Sequence, residues 1–191
     1  SFKGFEGTLV VNSSLSYIGI NSGIKENTRK NFTCAHELGH YCMDINTSDA
    51  EFSCSKDEIE IFKKSIQPME LRANIFASEL LMPRFLYKEL VDAHDPSWDN
   101  IKKLAQISQT SLTATAKRYV DLTEHACVLI VSVDGKILWF NKSKYFSFYP
   151  NMEDRVVPYN THAYSAFKGK LPPDDFDTLR IEDWFCEARV N

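Results

Sequence analysis

The stretch Phe32-Thr33-Cys34-Ala35-His36-Glu37-Leu38-Gly39-His40 decides how this chain is interpreted. It lies in a segment that is predicted to be helical from Asn27 or Thr28 to Met43, with one of these two polar side chains capping the first turn. A helix brings residues four positions apart to the same face, one turn further along. The two histidines of this H-E-x-x-H pattern therefore point to one side, and Glu37 lies at the edge of the same face.

Two imidazoles in this arrangement can bind one metal ion. Zinc accepts nitrogen ligands, and a catalytic zinc site keeps one coordination position open for water. Binding lowers the pKa of that water from 15.7 to roughly 7, so a neighbouring carboxylate can take its proton as the oxygen attacks a carbonyl carbon. The pattern also arises by chance in ordinary helices, but its apolar neighbours and a carboxylate on a second predicted helix favour a metal site. We therefore interpret His36 and His40 as zinc ligands and Glu37 as the general base.

A third protein ligand is needed, because hydrolytic zinc sites usually have three. Residues 69–82 are predicted to form a helix that ends at Pro83, and Glu70 near its start is our choice for this ligand. Asn74 lies one turn further on the same face, where it could accept the free ring N–H of a ligand histidine. Simpler roles remain open: Glu70 also complements the helix dipole, and Asn74 could satisfy a local backbone group.

Other candidate site residues are less well placed. Asp44 follows His40 by one turn, but at about 100° per residue its side chain is rotated about 80° from His36. Direct ligation by Asp44 is therefore awkward, and a role behind the ligands or at the surface is favoured. Cys34 and Cys42 are expected to be small buried hydrophobic residues. A donor for the tetrahedral oxyanion is also needed, and no spacing distinguishes among its candidates: Tyr17, Tyr159, His162 and Tyr164.

The composition indicates an ordinary globular protein. The 191 residues are 43% hydrophobic and 25% charged with a net charge of −4, so we expect one domain spanning residues 1–191 and no strong attraction to nucleic acid or anionic membranes. Five cysteines without metal-type pairing, no apolar membrane span and no signal-peptide region favour a cytoplasmic protein with reduced thiols. Because the chain begins with Ser1, we expect upstream residues to be missing.

Short strands are predicted in two places. Apolar runs at 8–11 and 17–20 indicate a strand pair, which could either pair with an extended substrate or simply cover the helices. Asp134-Gly135 lies between apolar runs at 128–131 and 137–140, which indicates a second hairpin. Together with the predicted helices, these hairpins indicate an α+β fold with a small antiparallel sheet.

The remaining segments are predicted from turn signals and helical periodicity. Polar residues 46–60 indicate a turn-rich connection, with a short helix possible at 57–65. Further predicted elements are helices at 97–107, 110–122 and 161–168, and an extended segment at 183–189. Residues 98–122 could form a DNA-binding helix-turn-helix with 108–111 as its turn. Phosphate binding needs a denser cationic face than this segment has, so a structural helix pair is favoured; its basic residues are Lys102, Lys103, Lys117 and Arg118.

Two motifs resemble those of the ImmA/IrrE metallopeptidase family. They are Phe32-Thr33-Cys34-Ala35-His36-Glu37-Leu38-Gly39-His40-Tyr41 and Glu70-x-x-Ala73-Asn74-x-Phe76-Ala77-x-x-Leu80-Leu81-Met82-Pro83. The similarity is clearest over residues 4–141, because the Gly-x-Asn-Ser element at 19–22 and the hairpin ending in Trp139-Phe140 are also similar. Residues 142–191 are treated as a C-terminal extension.

This resemblance implies a compact zincin-like helical core with His36, His40 and Glu70 as zinc ligands and Glu37 as general base, in agreement with the assignment from the residues. Members of the family act in bacteria and their mobile elements by cleaving, or otherwise relieving, helix-turn-helix repressors. We therefore expect a zinc endopeptidase that hydrolyses a peptide bond in such a regulatory protein. The alternative is a zinc-stabilised binding protein, an antirepressor or toxin–antitoxin component, that does not cut its partner. The presence of Glu37 favours the enzyme, since a binding protein needs only the three ligands.

Overall fold

The computed structural model describes residues 5–45, 50–55, 67–151, 154–170, 178 and 180–186. The strands are β1 (Phe5–Val11), β2 (Ser16–Ile20), β3 (Ala50–Ser55), β4 (Val128–Val133), β5 (Lys136–Lys142), β6 (Tyr149–Pro150) and β7 (Phe185–Cys186). The helices are α1 (Asn27–Met43), α2 (Pro68–Leu81), α3 (Arg84–Asp92), α4 (Trp98–Ser108), α5 (Leu112–Leu122), α6 (His162–Phe167) and α7 (Ile181–Trp184). This mixture of helices and small antiparallel sheets confirms the predicted α+β class. The chain divides into two compact units, Ser1–Tyr119 and Val120–Asn191.

The first unit contains an antiparallel sheet with the strand order β2-β1-β3. The predicted pair of strands is confirmed as β1 and β2, with Leu9 opposite Ile18 in the register. The turn between them is held by Asn12, whose side-chain oxygen accepts hydrogen bonds from the backbone N–H groups of Ser14 at 3.0 Å and Leu15 at 2.8 Å. Strand β1 is the central strand of this sheet, and its Leu9 side chain is buried.

Strand β3 corrects the interpretation of residues 46–60 as a turn-rich connection. Ala50–Ser55 pairs antiparallel with β1, and Thr8 lies opposite Ser53. The polar composition of this segment did not reveal the strand, because pairing with β1 satisfies its backbone groups whatever its side chains prefer. The short helix considered at 57–65 falls outside the described residues.

Helix α1 carries the H-E-x-x-H pattern along its buried side. It begins at Asn27 as predicted, but its N-cap is Glu26 and no side chain makes a capping hydrogen bond, so the predicted cap by Asn27 or Thr28 is wrong. One side of α1 packs against β1 and β2, and another packs against α2. The two helices approach closely at Gly39, where an added Cβ would lie only 3.1 Å from Cα of Ala73. The buried residues of α1 are Thr33, Ala35, His36, Glu37, Gly39 and His40.

The other helices up to Leu122 follow the sequence prediction. The helix predicted at 69–82 is confirmed as α2, and Pro83 after it is the N-cap of α3. The helices predicted at 97–107 and 110–122 are confirmed as α4 and α5. Arg118 of α5 donates to the backbone oxygen of Met82, just beyond the end of α2, from Nε at 3.1 Å and Nη2 at 2.8 Å. The burial of Arg118 in this contact removes a basic side chain from the surface. This favours a structural role for the α4–α5 pair over DNA binding.

The second unit contains the predicted hairpin of β4 and β5. Asp134 and Gly135 at its turn both have positive φ, 51° and 74°, as a type I′ turn requires. The helix predicted at 161–168 is confirmed as α6. The extended segment predicted at 183–189 is wrong for residues 183 and 184, which belong to α7. Phe185–Cys186 forms β7 and pairs with β6, and the rest of the predicted segment lies outside the described residues. Within the described ranges, the model contains no helix whose length and apolar character would suffice to cross a membrane.

Candidate metal centre

Donor atoms from α1 and α2 meet inside the first unit. The Nε2 atoms of His36 and His40 lie 3.1 Å apart. The carboxylate of Glu70 lies 3.1 Å from Nε2 of His36 through Oε2, and 3.4 Å from Nε2 of His40 through Oε1. Both histidine side chains are fully buried, whereas that of Glu70 is 12% exposed. The ligand atoms of these three residues all lie within 4.8 Å of one another, so the group could hold a metal ion.

These separations fit a small tetrahedral cation. Zinc binds histidine nitrogen at about 2.0–2.1 Å and carboxylate oxygen at about 2.0–2.2 Å. The corners of a tetrahedron with such bonds lie roughly 3.3–3.5 Å apart. The distances of 3.1 to 3.4 Å between the donor atoms are close to this range, so only small side-chain shifts are needed. Two imidazole nitrogens and one carboxylate are also a donor set that zinc accepts.

The other nitrogen of each imidazole is held by an acceptor. Nδ1 of His36 lies 3.0 Å from Oδ1 of Asn74, and Nδ1 of His40 lies 2.8 Å from Oδ2 of Asp44. An ionised carboxylate can only accept, so in the neutral imidazole of His40 Nδ1 donates to Asp44 and Nε2 keeps its lone pair. The amide oxygen of Asn74 selects the same tautomer at His36. Both Nε2 lone pairs are therefore directed at the position between the two rings and Glu70.

The structure shows which contacts Asn74 and Asp44 make, a point that the sequence left open. Asn74 was predicted to support one of the two histidines, and it lies beside His36. Asp44 is not part of the group that could hold a metal, but it lies behind His40 as a hydrogen-bond acceptor. The sequence signal for this contact is the spacing of four residues between His40 and Asp44, which places them on the same helical face.

Glu37 is fully buried on α1, one residue after the first histidine. Its carboxylate faces strand β1 at Gly7, so the sheet covers it on that side. The strand therefore restricts where this carboxylate can lie.

The charges of the cluster shift two pKa values. Burial by itself would lower the pKa of His40, but hydrogen bonds to Glu70 and Asp44, together with the charges of Glu70 and Glu37, outweigh burial and raise it. Burial also opposes ionisation of Glu70, yet hydrogen bonds from His36 and His40, which the Nε2 atoms donate when these rings carry a proton there, lower its pKa to about 2. Glu70 is thus ionised near neutral pH, as a metal ligand must be. A metal ion at this group would compete for His40 with a proton that the surrounding carboxylates favour.

Two cysteines considered from the sequence do not belong to this cluster. Cys34 and Cys42 are exposed, so the expectation that they are buried is wrong. They lie on the outer surface of α1, because its inner side is occupied by the histidines and their neighbours. Among the candidate oxyanion donors, Tyr17 is half-exposed on β2. The other three belong to the second unit: Tyr159, His162 and Tyr164.

An H-E-x-x-H helix beside a second helix that presents a glutamate to both histidines is an arrangement typical of zinc metallopeptidases. A family model described as Peptidase_M78, the IrrE N-terminal-like domain, matches residues 2–119. The chain therefore belongs to this metallopeptidase family, which confirms its resemblance to ImmA/IrrE proteins. The matched range includes both helices of the cluster. A search of curated proteins finds no significant match.

Proposed function

We propose that the protein is a zinc-dependent endopeptidase in which His36, His40 and Glu70 bind the metal and Glu37 is the general base. The observation that carries this proposal is the convergence of two Nε2 atoms and one carboxylate, 3.1 to 3.4 Å apart, beside a buried glutamate on the same helix. Membership of a metallopeptidase family supports the same chemistry. A glutamate ligand from a separate helix makes the proposed site gluzincin-like.

The chain's own residues have separate tasks in this proposal. Asn74 and Asp44 hold the rings of His36 and His40, so that binding needs no reorientation. Zinc held between them would polarise the substrate carbonyl and lower the pKa of a bound water molecule. The carboxylate of Glu37 takes a proton from the attacking water and passes it to the nitrogen of the leaving peptide.

We infer that the substrate is a helix-turn-helix repressor of a bacterium or a mobile element, cut in the cytoplasm. The support for this class of substrate is the resemblance of the two motifs to ImmA/IrrE proteins, together with the family match. Among the strands that the structure describes, β2 lies at an edge of the sheet that packs on α1. An extended segment of the substrate could pair with such an edge, since β-strand addition uses the backbone groups that no neighbouring strand occupies.

The test is co-expression of the protein with a helix-turn-helix repressor encoded beside it. The wild type is expected to shorten the repressor, and immunoblotting with mass spectrometry of the fragments would locate the cut. Glu37→Gln removes the base but keeps the shape of the side chain, so it should retain zinc and abolish cleavage. Metal analysis of both purified proteins is the control, with about one zinc per chain expected in each.

Two results would contradict the proposal in different ways. Cleavage that persists in Glu37→Gln would show that Glu37 is not the general base. A repressor that binds the zinc-loaded wild type but stays intact would favour the binding protein that recognises a regulator without cutting it.

A further inference from the structure

We propose that Asp44 and Arg72 form a positioning pair that holds His40 for the metal, with Arg72 acting through Asp44. This inference rests on the metal site of the proposed function and extends it to two residues outside the ligand set. Neither side chain belongs to the group that could bind the ion. Their effect is on the orientation of His40 and on its strength as a donor to the metal ion.

The contacts form a chain that leads from the surface to the site. Nη2 of Arg72 lies 2.5 Å from Oδ1 of Asp44, and Oδ2 of the same carboxylate lies 2.8 Å from Nδ1 of His40. The two oxygens of Asp44 therefore have different partners. Since Nε2 of His40 lies on the opposite side of its ring, fixing Nδ1 also fixes the direction of the lone pair that would bind the ion.

The location of Asp44 shows that this carboxylate needs its partners. It is the C-cap of α1, where the helix dipole disfavours a negative charge. Its side chain is only 2% exposed, and a polar group buried to this extent is costly unless it has hydrogen-bond or ion-pair partners. Arg72 and the ring N–H of His40 provide this pairing. Because Arg72 is 56% exposed, its contribution reaches the site from the surface of the protein.

The two histidines are held differently, and the difference has a chemical consequence. His36 donates to the neutral amide of Asn74, whereas His40 donates to a carboxylate. A carboxylate acceptor makes an imidazole a stronger donor to a metal ion than a neutral acceptor does. Arg72 opposes this effect in part by drawing charge from Asp44, but it also keeps the carboxylate in place. Helix α2 thus supplies a proposed ligand, the arginine and the partner of the other histidine within five residues.

A double-mutant cycle in zinc affinity tests this pair. The variants are Asp44→Ala, Arg72→Ala and the combination of both, and the zinc dissociation constant is measured by chelator competition on the full chain. Loss of Asp44 is expected to weaken zinc binding about 10- to 100-fold, as for other groups that hold a ligand histidine. Loss of Arg72 should weaken it about 2- to 5-fold, because one partner of this ion pair is exposed. The double variant should match Asp44→Ala, since Arg72 has no separate route to the metal.

The matched control is Asp92→Ala, which removes an aspartate from the end of α3, where it pairs with Lys88 at 2.6 Å. It should leave zinc affinity unchanged. Cobalt in place of zinc gives a further readout: its visible bands should change in Asp44→Ala and not in Asp92→Ala, because they report on ligand geometry. If Asp44→Ala fails to fold, Asp44→Asn and Arg72→Ala still test the pair. The asparagine retains an acceptor without charge, so Asp44→Asn should weaken zinc binding, but by less than the roughly 10- to 100-fold expected for Asp44→Ala.

An Asp44→Ala variant that binds zinc as the wild type does, with the same cobalt bands, would overturn the proposal. Effects that add in the double variant would also overturn it, because they would mean that Arg72 acts independently of Asp44. These outcomes differ from a failure of the proposed function, in which the wild type itself would bind no zinc or would bind it without cleaving the repressor.

Discussion

Gly7 of β1 lies so close to Glu37 of α1 that a methyl group has no room between them. A Cβ added to Gly7 would be 2.7 Å from Oε1 of Glu37 and 2.5 Å from Cγ2 of Thr33. Contacts this short require movement of the atoms involved. The absence of a side chain at position 7 therefore determines how closely the sheet covers the proposed general base.

Gly7→Ala is expected to displace the carboxylate of Glu37 while leaving the metal ligands in place. Thr33 is β-branched and fully buried in the helix, so it yields less readily than the end of the glutamate side chain. We expect repressor cleavage to fall by about 10-fold or more, as for other misplaced catalytic groups, with zinc content unchanged. Overpacking should also lower the free energy of unfolding by about 1–3 kcal/mol. The measurements are cleavage rate, metal content and urea unfolding.

Gly19→Ala is the matched control, because Gly19 lies in the neighbouring strand of the same sheet. An added Cβ there would meet Cγ2 of Thr8 at 3.1 Å, which is a milder contact that does not involve the site. This variant should keep most of its activity. Equal losses of activity in both variants would mean that the effect comes from the sheet as a whole and not from Glu37.

Glu70→Ala is expected to remove one of the three proposed ligands and so reduce the zinc content of the purified protein. The remaining two histidines would bind zinc weakly, because a three-ligand site loses both a bond and a neutralising charge. Glu89→Ala, which changes an exposed glutamate on α3, is the control and should keep about one zinc per chain. Full zinc occupancy in Glu70→Ala would remove this residue from the ligand set.

The sequence predicted the two helices of the site because their signals are local. The spacing of His36 and His40, and the periodic segment that carries Glu70 and ends at Pro83, depend on neighbouring residues only. Strand β3 was missed because its backbone is satisfied by β1, whose paired residues lie 39 (Val11 and Ala50) to 50 (Phe5 and Ser55) positions earlier in the chain. The partner of His40 was left open for a similar reason. Spacing placed Asp44 near His40, but only the fold brings Arg72 to neutralise that carboxylate.

Arg118→Met is expected to destabilise the first unit. The guanidinium makes two hydrogen bonds to the backbone oxygen of Met82, and its Nη2 also lies 2.7 Å from Oε1 of Glu79. Methionine can replace much of the packing of the arginine stem, but it leaves the buried carbonyl oxygen without these donors. We expect the free energy of unfolding to fall by about 2–3 kcal/mol, as for other hydrogen bonds to charged groups. Urea unfolding of the metal-free protein measures this change.

Lys103→Met provides the comparison, because this lysine is exposed on α4. Exposed substitutions of this kind usually change stability by less than about 0.5 kcal/mol. If Arg118→Met is no more harmful than Lys103→Met, the buried contact with Met82 does not stabilise the fold.

The contact between Arg118 and Glu79 should also make stability depend on pH. Burial alone would raise the pKa of Glu79, but the hydrogen bond from Arg118 and the backbone N–H of Arg84 lower it below its ordinary value of 4.5. A carboxylate with a lowered pKa stabilises the folded state above its unfolded pKa, and this contribution is lost as the pH falls through the folded pKa. The wild type should therefore be more stable than Glu79→Gln at pH 7. This difference in the free energy of unfolding should shrink as the pH falls from about 5 to below the ordinary pKa of 4.5.

Urea unfolding of the metal-free proteins across this pH range checks the prediction, since the titration of the metal cluster is common to both and cancels in the difference. The same comparison in the Arg118→Met background identifies the cause. Without the guanidinium, the pKa of Glu79 should return towards its ordinary value, so glutamate and glutamine at position 79 should differ less with pH. A pH-dependent difference that persists undiminished in that background would contradict the assignment of the shift to Arg118, and would point to the backbone N–H of Arg84 as the group that holds the carboxylate.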